Sequence, residues 1–190
     1  GHTQGGIDGK SNNGFIDFFL VKYSENGHQL WSKQFGTDQG DILRSLEIDS
    51  NDNIYLAGWT FGNLDGHVLS SGRGAFLSKY NSEGILQWTR ISENNQYGES
   101  GFEKIIISED NYIYAGGTRG YDVLLEKYTL DGQKIWSKII ASDNSGQDTI
   151  EDISINNNGS LYLSGTTTSI FNNETHNKAS NNVSYLLSLS

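Results

Sequence analysis

Three oxygen-bearing side chains stand on alternate positions of one short segment: Asp49, Asn51 and Asn53. A calcium-binding loop begins with this D-x-N-x-N spacing, because alternate residues can direct carboxylate and amide oxygens at one hard cation. The rest of that pattern is missing, since Ile54 stands where glycine is required and Thr60 where a bidentate glutamate is expected. We therefore predict an Asx-type turn here and keep the three residues as weak calcium candidates.

A second group of chemically capable side chains follows closely: Trp59, Phe61, Asp65, His67 and Arg73. An aromatic ring beside histidine, carboxylate and guanidinium groups could stack on a sugar ring or grip a peptide. The alternative is a loop that packs its own aromatic side chains for stability. We keep these five residues as the ligand-binding candidates of the chain.

The remaining side chains give little support for an enzyme. The four histidines, His2, His28, His67 and His176, are scattered, and none has the spacing of a catalytic triad or a metal site. Nucleophile-elbow, Walker and zinc motifs are missing from the sequence. The sequence also lacks cysteine, which removes disulfides and thiolate sites. We predict a protein that is not an enzyme and needs no cofactor.

Charge and hydropathy narrow the classes of partner. The 190 residues have a formal net charge of -10. A nucleic-acid partner would require lysine and arginine clustered on one face, so we predict no nucleic-acid binding. No apolar run approaches the roughly 18 residues that suggest a membrane span. The partners that remain are another protein, other copies of this chain, or a glycan.

The elements that must position these side chains follow from an internal repeat. Three segments read FLVKYSENGHQLW, FLSKYNSEGILQW and LLEKYTLDGQKIW. In each of them a tyrosine precedes a glycine by four positions and a tryptophan by eight; the sets are Tyr23, Gly27, Trp31; Tyr80, Gly84, Trp88; and Tyr128, Gly132, Trp136. A repeat with a period of about 20 to 50 residues is typical of a solenoid, a propeller or an array.

Alternating apolar residues and turn signals place four antiparallel strands on each full repeat. The strands are predicted at Ile42–Asp49, Ile54–Thr60, Ala75–Tyr80 and Leu86–Ile91, then at Phe102–Ser108, Tyr112–Thr118, Val123–Tyr128 and Gln133–Ile140. Four short antiparallel strands are one blade of a β-propeller. We therefore predict an all-β protein with two complete blades and two partial ones.

Residues that recur in every copy have a structural explanation. Trp31, Trp88 and Trp136 are expected to be buried between blades, whereas the unrepeated Trp59 is expected to be exposed. The repeated glycines Gly58, Gly117 and Gly165 indicate a close backbone approach or a bulge near the end of the second strand.

The segments GWTFGNLDG, GRGAFLSKYNSEGILQW and LEIDSNDNIYLAGWT resemble the SBBP family, the bacterial seven-bladed β-propeller repeat. The resemblance extends over essentially the whole chain. It implies a large secreted or surface protein, an extracellular or cell-surface location, and a binding or scaffolding role. No catalytic residues common to the family are carried over by it.

The predicted domain is a single partial propeller over 1–190, with blades at 1–35, 42–91, 102–140 and 150–190. We expect the chain to be part of a larger propeller or a subunit whose blades are completed by another copy. The polar segment 169–182 is expected to be mobile. Two functions remain open: a scaffold for protein partners or self-association, and a carbohydrate-binding propeller that calcium could assist.

Overall fold

The fold is seen in a computed structural model, which describes residues 1–70, 72–92, 99–140 and 146–168 and the backbone of 183–189. The polar segment that was expected to be mobile, 169–182, lies outside the described residues. Every regular element in the described part is a β-strand, so the all-β prediction is confirmed. None of the described residues forms a helix long and apolar enough to cross a membrane.

In the described residues, fourteen strands form four antiparallel sheets, and within each sheet the strands lie in chain order. The first sheet contains β1 (His2–Thr3), β2 (Asp17–Tyr23) and β3 (Gln29–Phe35). The second contains β4 (Asp41–Ile48), β5 (Ile54–Thr60), β6 (Gly74–Tyr80) and β7 (Leu86–Ser92). The third contains β8 (Ser100–Ile107), β9 (Tyr112–Arg119), β10 (Asp122–Thr129) and β11 (Lys134–Ile140). The fourth contains β12 (Asp148–Ile155), β13 (Leu161–Thr167) and β14 (Val183–Leu189).

Two sheets of four strands and two of three confirm the prediction of two complete and two partial blades. The first strands of successive sheets, β4, β8 and β12, contact one another. They therefore form what we call the inner edge of the blades. Apolar side chains from neighbouring sheets meet in three buried clusters, which fill the spaces between one blade and the next.

The short turns repeat from blade to blade. The turn between the first two strands carries a positive φ at Asp52, Asn111 or Gly159. Asparagine, aspartate and glycine are the residues that adopt this left-handed conformation at low cost. The turn between the third and fourth strands has glycine with positive φ in each copy: Gly27, Gly84 and Gly132. These glycines explain the fixed tyrosine, glycine and tryptophan spacing of the sequence.

A lysine and a tryptophan of one blade hold the glycine turn of the next. Lys22 Nζ donates a hydrogen bond of 3.3 Å to the Ser82 carbonyl, and a Cβ on Gly84 would lie 3.2 Å from the Trp31 ring. The same contacts recur one blade later. Lys79 Nζ donates to the Leu130 carbonyl at 3.4 Å, and Gly132 packs against the Trp88 ring. We call this repeated contact the inter-blade clasp.

The expected burial of the tryptophans is wrong. Trp31, Trp88 and Trp136 are half-buried, and Trp59 is half-buried as well. The first two rings pack against the glycine turn of the next blade and remain partly exposed. Recurrence in the sequence indicates a common contact in each blade, and it does not measure the depth of that contact.

Candidate functional site

A β-bulge interrupts the first strand of every blade in which that strand is described. The pairing register shifts between Leu43 and Ser45, between Phe102 and Lys104, and between Ile150 and Asp152. The extra residues are Arg44, Glu103 and Glu151. A bulged residue has no ladder partner, and bulges often redirect a side chain beside a functional site.

The repeated glycines make room for these bulges. A Cβ on Gly58 would lie 1.9 Å from the Ile42 carbonyl oxygen, and one on Gly117 would lie 1.8 Å from the Gly101 carbonyl oxygen. Gly165 pairs with Ile150 at the same place in the fourth blade. The prediction of a close backbone approach or a bulge is therefore confirmed, and the bulge itself lies on the neighbouring first strand.

The three bulged residues line one polar cavity of about 310 Å³ at the inner edge. Arg73 and Asp148 add two further charged side chains to its wall. Arg44 Nε and Glu103 Oε2 are 2.5 Å apart, which joins the second blade to the third by an ion pair. Glu151 is exposed and accepts a hydrogen bond of 3.4 Å from Thr149 Oγ1. The cavity therefore presents both signs of charge in one small volume.

Trp59 lies beside this cavity, between blades. The guanidinium carbons of Arg73 and Arg44 lie 4.8 Å and 5.3 Å from the centre of its ring. On the third blade, a Cβ at Gly101 would lie 3.1 Å from Trp59 Cε3. These contacts leave little free ring surface, so Trp59 is half-buried rather than largely exposed. The residue is unrepeated because the glycine that receives it is unrepeated too.

The other predicted ligand-binding residues lie in two further places. Asp65 Oδ2 accepts a hydrogen bond of 2.5 Å from Thr89 Oγ1, and His67 Nε2 lies 3.0 Å from the Thr89 carbonyl. These contacts tie the loop to β7 of its own blade. Phe61 is 44% exposed, and its ring lies near Gly40. The structure thus brings Trp59 and Arg73 together with Arg44, and it places Asp65 and His67 at Thr89.

The calcium candidates form a closed turn. Asp49 Oδ1 accepts hydrogen bonds of 2.9 Å from the backbone N–H groups of Asn51 and Asn53, and Oδ2 accepts one of 3.0 Å from the Tyr55 hydroxyl. Burial raises the pKa of Asp49, but the hydrogen bonds from Asn53, Asn51 and Tyr55 outweigh it and hold the pKa below its usual value. The carboxylate is occupied by the Asx turn, and the described residues contain no group of three acidic or histidine side chains placed to hold a metal.

Glu126 is a fully buried charged side chain with several partners. It is fully buried on β10 and accepts hydrogen bonds from the Tyr128 hydroxyl, from Ser92 Oγ at 2.9 Å and from Lys134 Nζ at 3.0 Å. Burial raises the pKa of this carboxyl, while the Tyr128 hydroxyl and the Lys134 charge lower it, with a net lowering. An ionised carboxylate satisfied in this way stabilises the blade and has no free oxygen aimed at a ligand.

Comparison with known proteins finds a match to one protein family. Residues 30–65 match the family model of SBBP, described as a beta-propeller repeat. Over these residues the chain is similar to the SBBP repeat. The matched residues run from the fourth strand of one blade to the start of the loop that holds Asp65 in the next. This match confirms, over residues 30–65, the resemblance inferred from the sequence.

The chain is also similar to a curated viral protein. A 115-residue stretch is 30% identical to the uncharacterized WD repeat-containing protein L264 of Acanthamoeba polyphaga mimivirus, which corresponds to 52% of this chain and 8% of that protein. A crystal structure of a protein of unknown function from Bacteroides caccae is similar to 84% of the chain, with 14% identity and a TM-score of 0.49. The chain spans about half of that structure and a small part of the viral protein.

Sequence reasoning missed the residues at the centre of the cavity. Arg44, Glu103 and Glu151 are ordinary charged residues in the sequence and follow no chemical motif. The signal that could have found them was the glycine on the next strand. A glycine that recurs opposite the first strand marks the bulge, and the bulge marks the side chain that is turned out of the sheet.

Proposed function

We propose that this chain is a non-enzymatic propeller scaffold of a bacterial secreted or surface protein, which binds a protein partner or other copies of itself. The observation that carries the proposal is that the side chains that join the blades are separate from those displayed at the inner edge. Repeated residues such as Trp31, Lys22 and Gly84 join the blades, while the bulges at the inner edge display charged residues whose sign differs between blades.

The buried titratable groups support a structural role. Glu126 and Asp49 are held by several hydrogen bonds each, so neither is placed to exchange a proton with a substrate. The viral relative is described as a WD repeat-containing protein, and that description agrees with a propeller module. An extracellular or cell-surface location forms part of the proposal and follows from the family resemblance.

Light scattering on the purified 190-residue chain tests self-association. We expect dimers or larger assemblies, because an uncovered strand edge exposes N–H and C=O groups that recruit other chains. A monodisperse monomer that unfolds in one sharp transition, and that captures no protein when immobilised, would contradict the scaffold.

A carbohydrate-binding propeller is the second candidate, favoured by the position of Trp59 beside a polar cavity. A glycan array with and without EDTA tests it. Binding that is lost in Trp59→Ala would support a lectin, and loss with EDTA would add calcium to the site. Silence across the array would leave the scaffold as the function.

A further inference from the structure

The bulge at the inner edge recurs in three blades, but the ion pair between bulged residues forms only between the second and third of the described blades. Arg44 on the second blade reaches Glu103 on the third, and both residues are bulged. The next step around the inner edge runs from Glu103 to Glu151, which is the bulged residue of the fourth blade. Since a glutamate stands at both ends of this step, Glu151 has no arginine from the preceding blade.

The surroundings of Glu151 supply no other cation. Among the residues that the structure describes, no basic side chain lies within ion-pair distance of this carboxylate, and its partner is the Thr149 hydroxyl. The nearby lysine, Lys104, pairs with Asp152 at 3.4 Å. Arg73, on the cavity wall, lies 3.6 Å from Glu99.

The charge of the cavity is therefore unbalanced. On its wall, Glu103 pairs with Arg44, and the guanidinium of Arg73 pairs with Glu99. Glu151 is left as a carboxylate that forms no ion pair with the described residues. The whole chain carries a formal charge of -10, which would attract a basic segment over a distance of about one Debye length, ~10 Å at moderate salt. A volume of about 310 Å³ admits one long side chain and excludes a folded domain.

We propose that this cavity receives an arginine or lysine side chain of a partner protein, which pairs with Glu151 as Arg44 pairs with Glu103. The inference rests on the scaffold function proposed above and names the chemistry of its partner. The bulge holds the Glu151 carboxylate away from the ladder, on the wall of the cavity. Arginine fits best because its planar fork can contact two oxygens at once.

A fluorescein-labelled peptide of two arginines alternating with glycines provides the test, with binding measured by fluorescence anisotropy at low salt. The matched control peptide has citrulline in place of each arginine, which keeps the shape and removes the charge. We expect the arginine peptide to bind and the citrulline peptide to fail. Equal binding of the two peptides, or no binding of either, would overturn the proposed site.

Two variants of equal charge separate the site from general attraction to an acidic chain. Glu151→Gln should lower the affinity for the arginine peptide about fivefold, the size expected for one partly exposed ion pair. Glu25→Gln removes the same charge from an exposed turn of the first blade and should leave the affinity unchanged. If the two variants lower the affinity for the arginine peptide equally, the cavity is not the binding site.

A third variant should increase the affinity. Arg44→Ala releases Glu103, so the cavity gains a second unpaired carboxylate and the peptide should bind more tightly. Circular dichroism checks that each variant is folded. If the chain assembles in light scattering but shows no preference for the arginine peptide, the proposed site is wrong and the scaffold function stands. If the chain neither assembles nor prefers the arginine peptide, both proposals are wrong.

Discussion

At Gly58 the structure depends on the lack of a single methyl group. A Cβ there would lie 1.9 Å from a backbone oxygen, which cannot move without undoing the bulge that displays Arg44. We predict that Gly58→Ala destabilises the fold by about 2–4 kcal/mol, as overpacking against backbone does. Chemical denaturation measures this change in the free energy of unfolding.

The control for this prediction is Gly40→Ala. A Cβ on Gly40 meets only the Phe61 ring, at 3.7 Å, which is an ordinary contact. Its effect should stay within about 0.5 kcal/mol. Similar losses in the two variants would show that the close approach at Gly58 is relieved by a shift of the backbone.

The half-burial of all four tryptophans gives a second prediction. Trp59→Ala and Trp88→Ala should each destabilise the fold by about 2–3 kcal/mol, below the ~3–5 kcal/mol of a fully buried ring. Each ring packs on a glycine of the next blade, Gly101 or Gly132. Thermal unfolding of both variants tests it, and a negligible effect of Trp59→Ala alone would restore the original view that this ring is exposed.

Residue types could be assigned to roles from the sequence only in part. Repetition correctly separated Gly58 and Gly117 from the candidate site, because a backbone constraint must recur in every blade. It failed for Trp59, whose partner Gly101 is also unrepeated. Trp59 and Gly101 fit each other across the interface between two blades. Comparing each position only with its counterparts in the other blades cannot reveal such a pair.

The junction between β2 and β4 gives a prediction at the scale of elements. Asp17 and Asp41 begin these strands and are fully buried. Burial raises the pKa of Asp41, hydrogen bonds from Thr37 lower it, and the charge of Asp17 raises it further, with a net increase. A raised carboxyl pKa means that the folded protein binds the proton more tightly than the unfolded chain, so this group destabilises the fold at neutral pH and the penalty disappears as the pH falls.

We therefore predict that Asp41→Asn raises the melting temperature at pH 7 and has little effect near pH 4. The amide oxygen can still accept from the Thr37 N–H, now 2.6 Å from Asp41 Oδ2, and the amide removes one of two neighbouring charges. Thermal melts at the two pH values measure the difference. A variant that is less stable at pH 7 would show that the charge of Asp41 is needed in the fold.

Strands were located well from the sequence where apolar and polar residues alternate. The second, third and fourth strands begin and end within one residue of their predicted positions in the complete blades, apart from small extensions. The first strands begin earlier than predicted, at Asp41, Ser100 and Asp148, because these buried polar residues break the apolar pattern. The place of each bulge on the first strand escaped prediction for a similar reason, since one extra residue alters the alternation by a single position.

The inter-blade clasp determines how cooperatively the blades of the whole molecule unfold. Stability in a repeat protein is the sum of the stability of each unit and of its contacts with neighbours. We predict that Trp88→Ala, which weakens the contact of the second blade with the third, broadens the thermal transition or divides it in two. Gly58→Ala acts within one blade and should shift the transition without broadening it; scanning calorimetry compares the van't Hoff and calorimetric enthalpies of both.

The bulges also determine how this protein can change through evolution. Arg44, Glu103 and Glu151 have no partner in the ladder, so substitution at these positions leaves strand register and the inter-blade clasp untouched. At Glu151, which forms no ion pair with the described residues, a mutation would change the proposed preference for a basic partner at little cost in stability. Each duplicated blade adds one such position at the inner edge, with Arg44 and Glu103 linked by their ion pair. The proposed partner preference could thus change by point mutation on a constant frame.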